Sequence, residues 1–491
     1  MSVKKELAKG SAAVSSITLL GHLLSTTLKL LVSRNFGLLG FGQYALIMAC
    51  SRFISTVVHM GYSQSIVHFV SKFRTRQDWH NAKHFFVSGI MHILLAAFLM
   101  SIALILVRDS IFNYIDLGNS AVFAIFLISA ISTILAINNY ISGALRGLKL
   151  FKEQAILFTS SFPFLMISSL LLLKWFHVES PGIFQFLSMG ILLNLIILIG
   201  AFFFTRKNLS IAMDASTEKE DIKQLPKYSR PIWLSSILQS GFRSSDRIML
   251  GLFSSISQVG LYGAGLTFSI LFAFPLKAMG PVFQPYIIER YSDSDFEGLN
   301  KLYNTMVRWS ALFVIPAFSA LLCFGDHIVS IFGKDFTSAY SVMIILSIAQ
   351  IISTVSGIAG TILNMTEKQN QHARIMTTGF IMAIILNLLL IPKYGALGAA
   401  IGTGISIVAI NVFRVRNIIK YYALKPDYAI VFWLILKFTP LVILCFWLIQ
   451  QAVVHWLILL AGFMLLSISI VYSSLSQNEK KYLITSMRNV F

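Results

Sequence analysis

The chain has 491 residues, of which 56% are hydrophobic and only 12% are charged. Typical globular proteins are about 45–50% apolar and about 25% charged. So few charges cannot cover the apolar surface of a soluble fold, and the composition excludes a soluble multidomain protein. The chain is nonetheless basic, because 39 Lys and Arg against 20 Asp and Glu give a net charge of +19.

Runs of about 20 mainly apolar residues predict an all-α integral membrane protein with fourteen transmembrane helices. Three of these spans carry charges and are the least certain from hydropathy: 41–68, 231–253 and 258–284. The other predicted spans are 11–33, 84–107, 120–144, 153–174, 182–205, 302–325, 339–364, 373–392, 396–418, 429–449 and 453–475.

The loop charges predict the orientation. With the N-terminus in the cytoplasm, the inward segments hold 27 Lys and Arg. The outward loops hold five, namely Arg34, Arg108, Lys174, Lys334 and Lys393. This bias follows the positive-inside rule, so both termini are predicted to be cytoplasmic. No cleavable signal peptide is expected, since a full-length span without a small-residue cleavage site follows MSVKKELAKG.

The outward loops are too short for an extramembrane catalytic domain. No carboxylate pair, metal-ligand cluster or nucleophile motif is apparent in the sequence. We therefore expect a protein that is not an enzyme and that needs no metal or cofactor. The basic balance reflects orientation, so nucleic acid is not an expected partner.

An internal repeat is indicated by Gly42-Gln43-Tyr44 and Gly260-Leu261-Tyr262, which lie 218 residues apart. At the same offset Lys29 corresponds to Arg247 and His59 to Lys277. Because six spans separate the copies, the repeats are parallel and related by a pseudo-two-fold axis along the membrane normal. The predicted regions are an N-lobe of six spans (1–205), a cytoplasmic linker (206–230), a C-lobe of six spans (231–420), and two further spans with a cytoplasmic tail (421–491).

Seven basic residues fall inside the predicted spans: Lys29, Arg52, Arg243, Arg247, Lys277, Arg308 and Lys437. Each intramembrane cation costs about 2.5–3.5 kcal/mol on insertion scales. Snorkelling to the interface explains Arg308 and is one interpretation of Lys437. Arg52 and Arg243 lie about a dozen residues from either end of their spans, beyond the reach of a snorkelling side chain.

Five of these cations lie on the first, second, seventh and eighth spans, which the repeat makes equivalent. They predict a shared cationic cavity that selects anions, with Arg suited to phosphate oxygens. Asp246, three residues after Arg243 and one before Arg247, is the only acid well inside a predicted span. We expect Asp246 either to form an ion pair with Arg243 or Arg247 or to take part in ion coupling.

Two histidines share helix faces with these cations at a spacing of seven residues, His22 with Lys29 and His59 with Arg52. Each histidine is either a hydrogen-bond partner between helices or a proton carrier.

Several segments resemble the polysaccharide exporter and O-antigen flippase (Wzx-type) family of the multidrug/oligosaccharidyl-lipid/polysaccharide exporter superfamily. They are SRNFGLLGFGQYAL (33–46), YSRPIWLSSILQSGFRSSDRIMLGLF (228–253), SQVGLYGAGLTFS (257–269), PVFQP (281–285), LNKLYNTMVRW (299–309) and LIPKYGALGAAIGTGIS (390–406). Each motif is loose, but their order and spacing are fairly specific, and the resemblance covers about residues 10–420.

The resemblance implies two six-helix lobes that form a V around a cation-lined cavity. It implies alternating-access flipping of an undecaprenyl-diphosphate-linked oligosaccharide, such as a lipopolysaccharide O-antigen unit, across the bacterial cytoplasmic (inner) membrane. The cations assigned to the diphosphate are Lys29, Arg52, Arg243, Arg247 and Lys277. Membrane lipid, Na+ or H+, and glycan polymerase or assembly proteins are further expected partners, with Asp246, His22 and His59 as candidates for ion coupling.

Several functions stay open at this point. Fourteen spans resemble the lipid II flippase relatives more than the many twelve-span O-antigen flippases. A multidrug cation antiporter of the same superfamily would need membrane carboxylates, and only Asp246 is available. A major-facilitator carrier would have a different basic loop after the second span, where this chain has KFRTRQDWHNAK (72–83). An enzyme that acts on polyprenyl-linked sugars is disfavoured by the short loops, and a non-catalytic assembly factor is harder to exclude.

Overall fold

The structure, a computed structural model, describes residues 2–108, 121–176, 182–209, 221–451, 455–475 and 477. These residues form helices joined by short turns, and no strand occurs among them. The α-helices described are α1 (Ser2–Val58), α2 (Tyr62–Thr75), α3 (Trp79–Leu106), α4 (Ala121–Gly147), α5 (Phe151–Trp175), α6 (Ile183–Asn208), α7 (Gln224–Phe253), α8 (Ile256–Ser269), α9 (Phe274–Ser292), α10 (Phe296–Ser330), α11 (Ala339–Val355), α12 (Ala359–Met365), α13 (Gln369–Tyr422), α14 (Ala429–Gln450) and α15 (Trp456–Ser474).

By length and composition, ten helices in the described part of the chain can cross a membrane, or eleven if the bent pair α11 and α12 is one span. Two of the ten are too long for a single crossing. Helix α1 has 57 residues, about 85 Å, against about 40–45 Å for a whole bilayer. It is broken at Gly37 (φ 65°, ψ −167°), and the 54-residue α13 is broken at Gly395 (φ 54°, ψ −128°).

The break at Gly395 folds α13 into an antiparallel helical hairpin. A methyl group on Gly398 would lie 2.3 Å from the carbonyl oxygen of Leu390, and one on Gly402 would lie 2.4 Å from Oδ1 of Asn387. Residues five and eight positions before the break therefore contact residues three and seven positions after it. The left-handed φ at Gly395, which glycine adopts without steric cost, makes this tight reversal feasible.

Each of the fourteen predicted spans has a helical counterpart once α1 and α13 are divided at these glycines. The charged span predicted at 231–253 corresponds to α7, which is not among the helices that qualify as spans by hydropathy. The predicted all-α membrane fold is confirmed.

The chain divides into two compact units, residues 1–263 and 264–491. The predicted linker is shorter than 206–230, because α6 continues to Asn208 and α7 already begins at Gln224. Residues 210–220 in its middle, like most of the C-terminal tail after 475, lie outside the described residues. The assignment of the helices to two repeat-related lobes stays a prediction.

Within the first unit, two segments that are 218 residues apart contact each other reciprocally. A methyl group on Gly42 would lie 2.0 Å from the carbonyl oxygen of Ile256, and one on Gly260 would lie 2.6 Å from that of Leu38. Positions 38 and 256, like 42 and 260, differ by the predicted repeat offset. Such an exchange of contacts is expected where two copies pack about a two-fold axis. It supports the internal repeat.

In the second unit, two intramembrane cations contact the end of α15. The Arg308 guanidinium donates to the backbone oxygen of Ser474 at 2.7 Å, and the Lys437 ammonium donates to the Ser474 hydroxyl at 3.0 Å. Cations are favourable at a helix C-terminus, where carbonyl groups lack helical partners. The interpretation of Arg308 and Lys437 as snorkelling side chains was therefore incomplete, since both bind a neighbouring helix end.

Candidate functional site

A polar cavity of about 470 Å³ lies within the first unit, where the second part of α1 passes α4 and α7. Its lining contains three arginines, one histidine, seven uncharged polar residues and one leucine, and no acidic residue among those described. These residues are Arg52, Ser55, Thr56, His59, Leu135, Asn139, Ser236, Gln239, Ser240, Arg243, Ser244 and Arg247. The cavity is therefore hydrophilic and positively charged, although helices of an apolar chain surround it.

Two helices supply most of the lining because each turns one face to the cavity. On α1 the face runs from Arg52 to the residue just past the helix end, His59, at spacings of three, four and seven residues. On α7 it runs from Ser236 to Arg247 at the corresponding helical spacings. Residues at these spacings project from the same side of a helix.

Polar contacts fix α7 against the end of α1. The indole nitrogen of Trp233 donates to the backbone oxygen of Val57 at 3.0 Å. Within the cavity wall, the Thr56 and Ser240 hydroxyls lie 3.0 Å apart. These contacts hold the two cationic helix faces in register.

Arg52 and Arg243 are the available cations of the cavity. Both side chains are exposed to it. Among the described residues, no group hydrogen-bonds to either guanidinium or forms an ion pair with it. A guanidinium has five N–H donors in a planar fork that suits carboxylate and phosphate oxygens. Arg52 and Arg243 can therefore bind an anion without first breaking a contact within the described residues.

Arg247 is different because its charge is partly used inside the protein. Its Nε lies 3.4 Å from Oδ1 of the buried Asp246, and its Nη2 donates to the backbone oxygen of Arg243. The Tyr262 hydroxyl donates to Oδ2 of Asp246 at 2.5 Å. Of the two pairings predicted for Asp246, the structure shows the one with Arg247. The group formed by Arg52, Arg243, Arg247 and Asp246 keeps a formal charge of +2.

His59 contributes a neutral donor. Its Nδ1 accepts a hydrogen bond from the backbone N–H of Gly61 at 3.0 Å, so its ring proton is on Nε2. Gly61 has φ 74°, and a methyl group there would lie 2.8 Å from the backbone oxygen of Ser229. The break between α1 and α2 therefore depends on glycine and orients the imidazole.

The cavity includes only part of the predicted site. It gathers Arg52, Arg243, Arg247 and His59. Lys29, half-buried on the first part of α1, and the exposed His22 are outside its lining. Lys277 is exposed on α9 of the second unit.

Sequence reasoning missed the uncharged lining. The hydroxyls of Ser55, Thr56, Ser240 and Ser244 could have been found, because they lie one helical turn or less from a predicted arginine on the same face. Asn139 on α4 has no such signal. Among the described residues, no group of three or more His, Cys, Asp or Glu side chains could hold a metal ion.

The sequence profile of a family described as polysaccharide biosynthesis protein matches residues 7–289, more than half of the chain. The chain belongs to the polysaccharide biosynthesis protein family. A second profile, MatE, matches residues 231–389. The predicted membership of the multidrug/oligosaccharidyl-lipid/polysaccharide exporter superfamily is confirmed, and with it the multi-pass membrane character.

A curated relative of this family member is the probable low-salt glycan biosynthesis flippase Agl15 of Haloferax volcanii. It is 27% identical over 215 residues, which are 44% of this chain and 46% of Agl15. The match thus spans less than half of the relative's length.

Two solved structures share the fold. A lipid II flippase MurJ in an inward closed conformation has a TM-score of 0.71 at 15% identity, covering 94% of this chain and 98% of MurJ. An inward-facing multidrug resistance MATE family transporter has a TM-score of 0.67 at 13% identity, covering 87% and 98%. At these identities the likeness concerns the fold alone.

Proposed function

We propose that this protein is a flippase that moves an anionic polyprenyl-diphosphate-linked oligosaccharide, the repeat unit of a surface polysaccharide, to the outer leaflet. The observation that carries the proposal is the acid-free cavity with two unpaired arginines among the described residues of a polysaccharide biosynthesis family member. One relative named as a probable glycan biosynthesis flippase and a second named as a probable flippase support it. The protein acts as a carrier and not as a catalyst.

The chemistry of the cavity fits a sugar diphosphate. Arg52 and Arg243 replace the hydration of the phosphate oxygens, which unassisted transfer through hydrocarbon would remove at a cost of several kcal/mol per charge. The hydroxyl and amide side chains around them, with Nε2–H of His59, suit sugar hydroxyl groups. The polyprenyl tail stays in the lipid.

The cycle is alternating access in the bacterial cytoplasmic membrane, with both termini in the cytoplasm. A membrane potential that is positive outside favours outward movement of an anion by about 2.3 kcal/mol per charge per 100 mV. The potential thus supplies a driving force without a coupling ion. Na+ or H+ coupling through Asp246 would require breaking its contacts with Arg247 and Tyr262.

Two other functions within the same superfamily were considered. A multidrug cation antiporter is disfavoured, because the described cavity lining has no carboxylate and Asp246 already binds Arg247. A lipid II-type peptidoglycan precursor has the same diphosphate chemistry, which makes it the second candidate. The identity of the transported glycan distinguishes a surface polysaccharide unit from a peptidoglycan precursor.

The test is depletion of the protein in its native cell, followed by analysis of polyprenyl-linked glycans. We expect one lipid-linked glycan to accumulate on the cytoplasmic leaflet and the corresponding surface polymer to disappear. Complementation by the unaltered protein and by Arg34→Gln, which lies outside the cavity, should restore export, whereas Arg52→Gln should not. Normal surface glycans in depleted cells would contradict the proposal, and accumulation of lipid II would select the second candidate.

A further inference from the structure

An apolar groove lies in the second unit, between α13 and α14. Helix α13 packs on α11, α14 packs on α10, and α10 and α11 pack on each other, so α10 and α11 form the floor of the groove. Of its twelve lining residues, nine are Ile or Val and three are polar. We propose that this groove binds an anionic phospholipid, with one acyl chain between α13 and α14 and the phosphate on Arg416.

The three polar residues lie at one end of the groove. Ser356 directly follows α11, Tyr428 directly precedes α14, and Arg416 lies in the last two turns of α13. The Tyr303 hydroxyl on α10 donates to the backbone oxygen of Ser356 at 3.0 Å and lies 3.2 Å from the Tyr428 hydroxyl. Tyr421 and Tyr428 are both exposed here, as is typical of aromatic residues at the level of lipid headgroups. The polar end of the groove is therefore its headgroup end.

From this end the groove extends by about the depth of one leaflet. On α10, the lining residue Ile315 is twelve positions after Tyr303, a rise of about 18 Å. The hydrocarbon of one leaflet is roughly 15 Å deep. Lining residues on both sides face outward, since Val412 on α13 is 55% and Ile435 on α14 is 51% exposed. The groove thus opens onto lipid. An acyl chain matches its length, whereas an undecaprenyl chain is longer than one leaflet is deep.

The walls favour an acyl chain over a transmembrane helix. Helices associate in lipid through small residues such as Gly, Ala and Ser, which let two backbones approach closely. The apolar lining consists of Ile and Val, and no Gly or Ala is among its described residues. These branched side chains keep an incoming backbone away from α10 and α11. A flexible chain can follow their surface and gain dispersion contacts along its length.

The charge defines the headgroup. Arg416 is the only charged residue of the described lining, and no described group hydrogen-bonds to its guanidinium or forms an ion pair with it. Asp427, next to Tyr428, instead caps α14, because its Oδ1 accepts the N–H of Ala429 at 2.9 Å. Lys420 lies one turn after Arg416 on α13 and adds positive charge. Since a guanidinium binds phosphate oxygens in a fork, a phosphatidylglycerol headgroup with a net negative charge is preferred to a zwitterionic one.

The experiment is native mass spectrometry of the purified full-length protein. It is titrated with phosphatidylglycerol, with phosphatidylcholine of the same chains, and with undecaprenyl phosphate. We expect about fivefold stronger retention of phosphatidylglycerol than of phosphatidylcholine, the factor that one basic side chain near an anionic lipid surface contributes. Arg416→Gln should abolish this preference, and Arg416→Lys should keep most of it. Val412→Trp, which fills the groove without altering the arginine, should weaken retention of both phospholipids. Arg374→Gln, an exposed arginine of α13 outside the lining, is the matched control and should behave as the unaltered protein.

Thermal unfolding confirms that each variant is folded before its lipid binding is compared. A preference that survives Arg416→Gln, or retention that Val412→Trp leaves unchanged, would overturn the proposal. Stronger retention of undecaprenyl phosphate than of phosphatidylglycerol would also overturn it, because the groove would then belong to a polyprenyl lipid. A dimer in the same spectra that Val412→Trp disrupts would overturn it too, because a second copy would then cover the groove. Since the readout is lipid retention and not glycan export, a failure here leaves the proposed flippase function untouched.

Discussion

Two arginines four residues apart on α7 should respond differently to the same substitution. Arg247 is paired with the buried Asp246 at 3.4 Å, and their side chains are 13% and 5% exposed. At an effective dielectric constant of about 20, the direct attraction at this distance is about 5 kcal/mol, much of which offsets desolvation. Arg247→Gln leaves the carboxylate without its cation and should destabilise the protein by about 2–3 kcal/mol. Arg243→Gln breaks no side-chain contact within the described residues and should cost under about 0.5 kcal/mol.

The assay is thermal unfolding of the purified variants, combined with glycan export in complemented cells. Arg247→Gln should unfold roughly 2–3 °C earlier than the unaltered protein of 491 residues. The double variant Arg247→Gln with Asp246→Asn should recover most of that loss, because no unpaired charge remains. Arg243→Gln should keep the original unfolding temperature and lose export. Equal destabilisation by both single substitutions would show that Arg243 is as structural as Arg247, and would refute its assignment as an available cation.

Three further predictions concern packing. Gly42→Val should destabilise the crossing of α1 and α8 by more than about 3 kcal/mol, because the new side chain would meet the backbone oxygen of Ile256. The measurement is unfolding of the purified variants, and Gly200→Ala, with open space around the added methyl group, is the control. Gly61→Ala should lower stability by about 2 kcal/mol through its positive φ and its close contact with α7, and unchanged unfolding would contradict the proposed role of the helix break. Arg308→Gln and Lys437→Gln should each speed amide hydrogen exchange in the last turn of α15 by about fivefold, and unaltered exchange in both would exclude their capping role.

Charged residues that lie deep within a predicted span were the sequence feature that pointed to the candidate site. Arg52 and Arg243 were selected because neither can reach an interface, and both line the same cavity. The repeat grouped their spans, the second and the seventh, with the first and the eighth, but the meeting of the two side chains depends on how α1 packs against α7. For Asp246 the sequence left open an ion pair with Arg243, an ion pair with Arg247, or ion coupling, and the structure shows the contact with Arg247. The choice depends on rotamers and on the buried Tyr262 hydroxyl, which holds the other carboxylate oxygen.

Other features depend on three-dimensional contacts that leave no local pattern. Lys29 was grouped with the cavity by the repeat offset, yet it lies on α1 before the break at Gly37 and is not among the lining residues. Asn139 reaches the cavity only because α4 packs beside α1. The hydrogen bonds to Ser474 come from residues 166 and 37 positions away in the sequence. Long-range partners of this kind are invisible to periodicity, and hydropathy reports only burial in lipid.

The central claim is that Arg52 and Arg243 bind the diphosphate of a lipid-linked glycan. The most direct measurement is the Kd of the purified protein for undecaprenyl diphosphate and for neutral undecaprenol. The account predicts clear preference for the diphosphate, and an increase in its Kd of about 10–100-fold for Arg52→Gln or Arg243→Gln, as expected for lost charge-assisted hydrogen bonds. Equal affinity for the two lipids, or an unchanged Kd in both variants, would contradict it.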